Sequence, residues 1–301
     1  MLAASRFMHR RAFFVSLATV VLAACGGSDP GDSGDASGDV VYGKHPVDAG
    51  AYEAEAAAKT PDDRMSKHAG IVLASPHIRA IYIGTPNVDQ SKSFDGYLPW
   101  LLTSTDYWSI LAQYGVGLGN YDGRTDVSTE AFFTPGMVNL GFVDWQVLDK
   151  RVRAVIHASP SDAGAPDASD DDAGDGGDGG DGASTELPPI PPADAYVVFL
   201  PDNVNVDLGD GTTCENAAGY HSYDGAEPYA IIPPCGRYNL VVSHELAEMS
   251  TDPLPGAGWY SDGDVQNAGG EVGDLCNELT LVDGIEATRL WSNKDGDCEP
   301  Q

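Results

Sequence analysis

Residues 243–248, Ser-His-Glu-Leu-Ala-Glu, carry the pattern from which the fold of this chain is predicted. His244 and Glu248 are four residues apart, so on a helix their side chains leave the same face about one turn apart. The surrounding segment, Tyr238–Ser250, is predicted to be one helix that ends at Thr251-Asp252-Pro253. Its apolar residues leave no clean polar face, and burying a carboxylate or an imidazole among them is costly without a partner such as a metal ion.

A zinc site is the first interpretation of this helix. The order His244-Glu245-x-x-Glu248 matches the H-E-x-x-H signature of zinc proteases, with glutamate in place of the second histidine. Zinc accepts imidazole nitrogen and carboxylate oxygen, so His244 and Glu248 are predicted ligands and Glu245 is the predicted general base. The alternative is a metal-free amphipathic helix with a hydrogen-bonded histidine and glutamates that reach solvent.

A zinc ion needs a third protein ligand, and the sequence offers three candidates. Glu271 and Asp274 lie three residues apart in Gly-Gly-Glu-Val-Gly-Asp-Leu-Cys (269–276), and His221 lies upstream in Gly-Tyr-His-Ser-Tyr (219–223). We rank Asp274 first, Glu271 second and His221 third. The less attractive candidates are His68, His77 and His157.

The first 25 residues are predicted to be a targeting segment outside the fold. Three arginines form a basic region, and Ala12–Ala24 is an apolar run with the length of a signal-peptide core, too short to span a bilayer. The run ends in Leu-Ala-Ala-Cys, which resembles a bacterial lipobox and predicts lipidation of Cys25. Glycine rather than aspartate follows this cysteine, so retention in the inner membrane is not signalled. The resemblance to known lipoproteins implies a lipid-anchored protein of the bacterial cell envelope, in the outer membrane. The alternative is an ordinary secretory signal with an incidental cysteine.

The remaining four cysteines are predicted to form two disulfides, because an even number of cysteines in an exported domain favours pairing. Three connectivities are open, and the sequence does not choose among them. We favour Cys214–Cys235 and Cys276–Cys298, since each pair closes a short local loop. A zinc site made of cysteines is disfavoured, because the C-x-x-C spacing is missing.

The net charge of −30 is unevenly distributed. Gly26–Asp39 and Ser159–Thr185 are rich in glycine and aspartate without apolar periodicity, so both are predicted to be disordered. We assign residues 26–69 to a flexible tether and residues 159–192 to a disordered acidic insertion, a solvated spacer rather than a calcium-binding repeat. From Asp194 to the end, twenty acidic residues face three basic ones. This balance argues against nucleic acid as a partner and favours a cation.

The order of predicted elements indicates an α/β fold. His77–Thr85 is a predicted strand, Phe94–Tyr114 is predicted to form one or two helices broken near residues 103–105, and Val143–Ile156 is a predicted helix. Ala195–Leu200 reads as a buried strand, and Tyr229–Ile232 as a strand near an edge, because prolines follow it. With the motif helix next, this is the order expected of a zincin. We therefore predict a single zincin-like α/β domain over residues 70–301 with a mixed sheet, interrupted by the acidic insertion.

The motifs of the second half together resemble the phosphate-induced, EXORDIUM-like family of plants and its bacterial relatives. The resemblance lies in Gly-Tyr-His-Ser-Tyr (219–223), His-Glu-Leu-Ala-Glu with Thr-Asp-Pro (244–253), Gly-Trp-Tyr (258–260) and Glu-Val-Gly-Asp-Leu-Cys (271–276), and more loosely in the first half. It implies a secreted, extracellular domain related to growth-associated signalling proteins. The lipobox and the acidic insertion depart from the plant pattern. The family's recurring polar positions correspond here to His221, His244, Glu245, Glu248, Glu271 and Asp274.

These observations leave three functional hypotheses. The first is a surface-anchored, zincin-like metalloprotein that hydrolyses peptide bonds, with zinc held by His244, Glu248 and Asp274. The second is a non-enzymatic extracellular protein with a structural metal, which binds a peptide or cell-wall ligand or takes part in signalling. The third is a metal-free domain stabilised by disulfides. An open metal position separates the first from the second, and metal content separates both from the third.

Overall fold

The structure is a computed structural model that describes residues 64–85, 96–158, 187–209, 211–223, 227–261, 270–276 and 278–300. All of these residues belong to one compact unit, which spans Lys59–Gln301. The predicted signal peptide with Cys25, tether residues 26–63 and residues 159–186 of the predicted acidic insertion lie outside the described residues. Within the described part of the chain, no helix is both long enough and apolar enough to cross a membrane.

The described residues form helices and short strands in alternation. The helices are α1 (Leu98–Thr103), a 3-10 helix (Trp108–Tyr114), α2 (Thr129–Phe132), α3 (Trp145–Ile156) and α4 (Tyr238–Thr251). The strands are β1 (Ser66–Lys67), β2 (His77–Ile83), β3 (Asn120–Val127), β4 (Val138–Asn139), β5 (Phe142–Asp144), β6 (Ala195–Phe199), β7 (Asn205–Asp207), β8 (Tyr220–Tyr223), β9 (Pro228–Ile232), β10 (Trp259–Tyr260), β11 (Leu279–Val282), β12 (Ile285–Thr288), β13 (Leu290–Ser292) and β14 (Asp297–Glu299).

A five-stranded sheet in the order β3-β2-β6-β9-β8 organises the domain. Strands β3, β2, β6 and β9 run parallel to their neighbours, and β8 pairs antiparallel with β9 at the end of the sheet. The predicted α/β class with a mixed sheet is therefore confirmed. Parallel strands need crossover connections, and these place helices on the two faces of the sheet.

The central strands are buried on both faces, which is why their sequences are continuously apolar. In β6, Val197 and Phe199 point into the core that contains α1, the 3-10 helix and α4, whereas Tyr196 and Val198 point into the core that contains α2 and α3. Strand β9 alternates in the same way. Helix α4 packs on the first of these faces, against β8, β9 and β12, so its polar residues meet β8 at the end of the sheet.

The predicted strands His77–Thr85 and Ala195–Leu200 and the predicted helix Tyr238–Ser250 are confirmed within one or two residues. The break predicted near residues 103–105 separates α1 from the 3-10 helix. The helix predicted from Val143 begins at Trp145 instead. Val143 lies in β5, and Asp144 caps the helix by accepting hydrogen bonds from the backbone N–H groups of Gln146 and Val147.

Strand β9 lies directly beside the end strand of the sheet, so its prediction as a strand near an edge is confirmed, although it is not the edge strand itself. It lies between β6 and β8, and all five of its residues are buried. Prolines 233 and 234 follow the last residue of the strand, so they remove no hydrogen bond from its ladders. The two terminal strands of this sheet, β3 and β8, are polar in sequence, and the apolar patterns did not reveal them.

The folded domain is also wider than the predicted boundaries. Met65 is buried in the core and Ser66–Lys67 pairs with Trp259–Tyr260, so the domain extends to the N-terminal side of residue 70. Ile190, which lies in the predicted insertion, is buried against the core that contains α3. Single apolar residues next to polar tracts are too weak a pattern to place these boundaries from sequence.

Candidate metal centre

Helix α4 supplies three polar side chains to one region of the domain. Almost all of the helix is buried, and Glu245 and Glu248 are among its buried residues. A helix that is apolar nearly all round must lie in a core, and any polar group that it carries needs a partner there. His244, Glu245 and Glu248 find theirs in β8 and in the loop at residues 270–276.

The first cluster, here called the outer triad, consists of His244, Glu248 and Asp274. The Nε2 atom of His244 lies 3.2 Å from Oε1 of Glu248 and 3.3 Å from Oδ1 of Asp274. The backbone N–H of Asp274 donates to the same Glu248 oxygen at 3.0 Å, which fixes the loop against the helix. The side chains of His244 and Asp274 are 18% and 23% exposed, so this triad is open on one side.

The second cluster, here called the inner triad, consists of His221, Glu245 and Glu248. The Nδ1 atom of His221 lies 3.7 Å from Oε2 of Glu245 and 3.8 Å from Oε2 of Glu248. These three side chains are only 4–7% exposed. In each triad the ligand atoms lie within 4.8 Å of one another, close enough to hold one metal ion.

Glu271 stands beside both triads. Its Oε1 atom is 3.5 Å from Nε2 of His221, and it is buried without a hydrogen-bond partner. A buried carboxylate oxygen without a donor is costly and calls for a nearby cation. All five residues predicted as possible ligands, together with Glu245, are thus brought into one cluster.

The electrostatics of the cluster favour added positive charge. Burial lowers the pKa of His221, but the negative charges of Glu271, Glu248 and Glu245 outweigh it and raise that pKa to about 10. Burial likewise opposes protonation of His244, yet Glu248 and Asp274 raise its pKa well above the usual value. Burial and the charge of Glu248 raise the pKa of Asp274 to about 6, and burial also raises the pKa of Glu271.

Every ion pair that these carboxylates form with other described residues involves one of the two histidines. No lysine or arginine within the described ranges neutralises them by a direct ion pair. A divalent cation would satisfy the excess of buried negative charge and the unpartnered oxygen of Glu271. The donor set, imidazole nitrogen and carboxylate oxygen, suits zinc. The residues therefore fit the predicted metal.

Two glycines let the backbone approach these side chains closely. A Cβ atom at Gly273 would lie 2.7 Å from Nδ1 of His244 and 3.0 Å from Oε1 of Glu248. A Cβ atom at Gly219 would lie 3.0 Å from Oε1 of Glu245. The loop at residues 270–276 and the segment that leads into β8 can therefore pack this closely on α4 only because glycine has no Cβ atom.

If the outer triad holds zinc, Gly273→Ala is expected to weaken its binding about 10–100-fold, because the added methyl group displaces His244 from the triad. Chelator competition measures the affinity. Gly96→Ala is the matched control, since a Cβ at that position meets no atom within 4 Å. Equal zinc affinity in the two variants would contradict the proposed packing.

Two supporting residues were missed in the sequence. The carboxylate of Asp252 accepts hydrogen bonds from the N–H groups of residues 256–258, and its backbone oxygen lies 3.2 Å from Nε2 of His221. Asp149 of α3 is buried and accepts hydrogen bonds from the hydroxyl groups of Tyr220 and Ser222, which flank His221 on the opposite face of β8. Only the Thr-Asp-Pro helix end gave any sign of Asp252, and nothing in the sequence singled out Asp149.

Both predicted disulfides are present. Cys214 pairs with Cys235 across the segment that contains β8 and β9, and Cys276 pairs with Cys298. The second bond ties the loop that carries Glu271 and Asp274 to β14. It therefore anchors Asp274, the one residue of the outer triad that does not lie on α4.

The other described histidines lie elsewhere. His68 stacks on Tyr260, His77 pairs with Asp122 and His157 lies near Glu227. None of them belongs to either triad. Their low ranking as ligands agrees with these positions.

Comparisons with family models, with curated proteins and with solved structures found no match to this chain. The resemblance to the EXORDIUM-like family therefore stays a prediction that rests on the motifs quoted above.

Proposed function

We propose that this protein is a zincin-like, zinc-dependent hydrolase that acts on peptide bonds. The observation that carries the proposal is the outer triad, where Nε2 of His244 lies 3.2 Å and 3.3 Å from carboxylate oxygens of Glu248 and Asp274. Zinc–ligand bonds of about 2.0–2.2 Å in a tetrahedral site separate neighbouring ligand atoms by about 3.3–3.6 Å. The spacing of the triad agrees with that value.

The partial exposure of His244 and Asp274 supports a catalytic rather than a purely structural centre. Catalytic zinc sites have three protein ligands and one position open to water or substrate. A bound zinc ion supplies a Lewis acid that lowers the pKa of a coordinated water. Glu245, the carboxylate of the motif outside the outer triad, is the proposed proton acceptor. His244, Glu248 and Asp274 are the proposed ligands that would hold the zinc ion.

The end strand β8 supports an extended peptide as the substrate. It is the last strand of the described sheet, and it carries His221 into the cluster. An extended peptide can add to such an edge through backbone hydrogen bonds. The motif helix directly following β9 supports the zincin-like fold assignment.

Glu245→Gln is expected to keep the zinc of the outer triad and to lower kcat/KM for peptide hydrolysis by about 10²–10⁴-fold, because an amide cannot accept the proton. Mass spectrometry of a digested peptide library, with metal analysis of the same sample, measures both effects. Glu130→Gln, at an exposed position of α2, is the matched control. Unchanged hydrolysis in the Glu245 variant would refute its role as the proton acceptor.

A structural metal in a non-enzymatic extracellular protein is the second candidate function. The inner triad favours it, because side chains that are only 4–7% exposed leave little access for a substrate. This candidate predicts tight metal binding without hydrolysis of any peptide in the library. It also predicts that the Glu245 variant differs from the wild type only in metal content or stability.

We further propose that the domain is tethered to the bacterial cell envelope by lipid on Cys25. The support is the Leu-Ala-Ala-Cys end of the apolar run at residues 12–24. An envelope location agrees with the two disulfides, since these persist in oxidising compartments. Peptides or cell-wall components outside the membrane would then be the accessible ligands.

A further inference from the structure

The two oxygens of Glu248 face different histidines. Oε1 lies 3.2 Å from Nε2 of His244, and Oε2 lies 3.8 Å from Nδ1 of His221. The carboxylate therefore belongs to the outer triad through one oxygen and to the inner triad through the other. Because an ionised carboxylate can accept at both oxygens, it can serve two cations at once.

The spacing of the inner triad fits metal ligation better than direct hydrogen bonding. A charged imidazole–carboxylate hydrogen bond is about 2.7–2.9 Å long, whereas Nδ1 of His221 lies 3.7 Å and 3.8 Å from Glu245 and Glu248. Two ligands of a five-coordinate zinc ion with bonds of about 2.0–2.2 Å and an angle of about 120° between them are about 3.5–3.8 Å apart. The ligand atoms of the three side chains lie within 4.8 Å of one another, close enough to hold one cation.

The second nitrogen of His221 has the partner expected of a metal-ligating histidine. Nε2 lies 3.2 Å from the backbone oxygen of Asp252. A carbonyl oxygen only accepts hydrogen bonds, so Nε2 carries the proton, and in the neutral ring Nδ1 presents its lone pair to Glu245 and Glu248. Metal-ligating histidines usually donate their other N–H to a carbonyl or carboxylate in this way. In this tautomer, Nδ1 and the two carboxylate oxygens are three possible ligand atoms that face one another.

The charge of the cluster also favours a second cation. Glu245, Glu248, Glu271 and Asp274 are four carboxylates packed around two imidazoles. One divalent cation offsets half of their formal charge, and two offset all of it. Buried charge that stays unpaired is strongly unfavourable.

We infer that the inner triad holds a second divalent cation and that Glu248 bridges the two ions. The inference rests on the proposed metal centre, because Glu248 belongs to both positions. It assigns Glu245 and His221 as ligands of the second ion. Only Oε2 of Glu245 faces His221, so its other oxygen keeps the proposed role of proton acceptor.

The test is the zinc stoichiometry of the oxidised full chain. The protein is freed of metal with a chelator, dialysed and titrated with zinc alone, and native mass spectrometry counts the bound ions. We expect two zinc ions in the wild type. His221→Gln and His244→Ala should each bind one ion, and Glu248→Gln should lose the tight binding of both. His157→Gln is the matched control, because that side chain is half exposed and lies near Glu227.

The outcomes separate this inference from the proposed function. One zinc in the wild type, lost in His244→Ala but kept in His221→Gln, overturns the second ion and leaves the proposed hydrolase centre intact. One zinc that is lost only in His221→Gln overturns the two-ion centre and the outer triad together. No zinc in the wild type removes both proposals. The wild-type count decides even if a variant fails to fold.

Discussion

His244→Ala is expected to bind one zinc ion fewer than the wild type and to lose all peptide hydrolysis. The substitution removes the only nitrogen ligand of the outer triad and leaves Glu248 and Asp274 facing each other without a cation. A ligand that binds only the folded protein stabilises it by about 2.7 kcal/mol when its free concentration is about 100 times its dissociation constant. The free energy of unfolding of the zinc-loaded wild type should therefore exceed that of the variant by at least this amount.

Thermal or denaturant unfolding at fixed free zinc measures this difference, and elemental analysis measures the metal. His77→Ala is the matched control, since His77 is half exposed and its ion pair with Asp122 lies away from both triads. The same zinc content and the same zinc-dependent stabilisation in His244→Ala and in the wild type would exclude the outer triad as a metal site.

Replacing Cys276 and Cys298 by serine is expected to lower stability and zinc affinity together. The bond closes a loop with a sequence separation of 22, for which chain entropy predicts a stabilisation of about 3 kcal/mol. Asp274 lies two residues before Cys276, so the released loop no longer holds its carboxylate against His244. We expect an affinity loss of about ten-fold or more at the outer triad, the range found when groups that support a metal ligand are removed.

The other disulfide provides the control for this experiment. Cys214 and Cys235 are separated by 21 residues in sequence, so the entropic contribution of their bond is nearly the same. Serine at both positions should cost similar stability but leave the zinc affinity of the outer triad nearly unchanged. Equal losses of zinc affinity in the two double variants would mean that the Cys276–Cys298 bond does not hold Asp274 in position.

Much of the fold follows from local patterns in the sequence. The apolar run of β6 predicts a strand buried on both faces, the run of β9 predicts a strand, and residues 238–250 predict the motif helix. The positions of His244 and Glu248 on one face follow from helical spacing alone, because four residues make about one turn. The favoured disulfide pairing is present, and each bond joins cysteines that are consecutive in the described chain, although the sequence by itself left three connectivities open.

The polar strands and the supporting residues could not be predicted in this way. Strand β8 is short and mostly polar, with no apolar alternation, so its pairing with β9 depends on the sheet that is already present. Its position beyond β9 is also the reason that β9 is not an edge. Asp149 becomes a partner of Tyr220 and Ser222 only because α3 lies across the opposite face of the same sheet.

By itself, the sequence determined the α/β class, the helix that carries the metal motif and the residue types able to bind zinc. The tertiary structure decided which of them meet. Asp274 contacts Glu248, which is 26 residues away in the chain, and His221 of strand β8 lies next to Glu245 of helix α4. It also decided that Glu248 faces a histidine with each oxygen. The physical reason is that helical and strand periodicities fix directions over a few residues, whereas distances of a few ångströms between remote side chains depend on how whole elements pack.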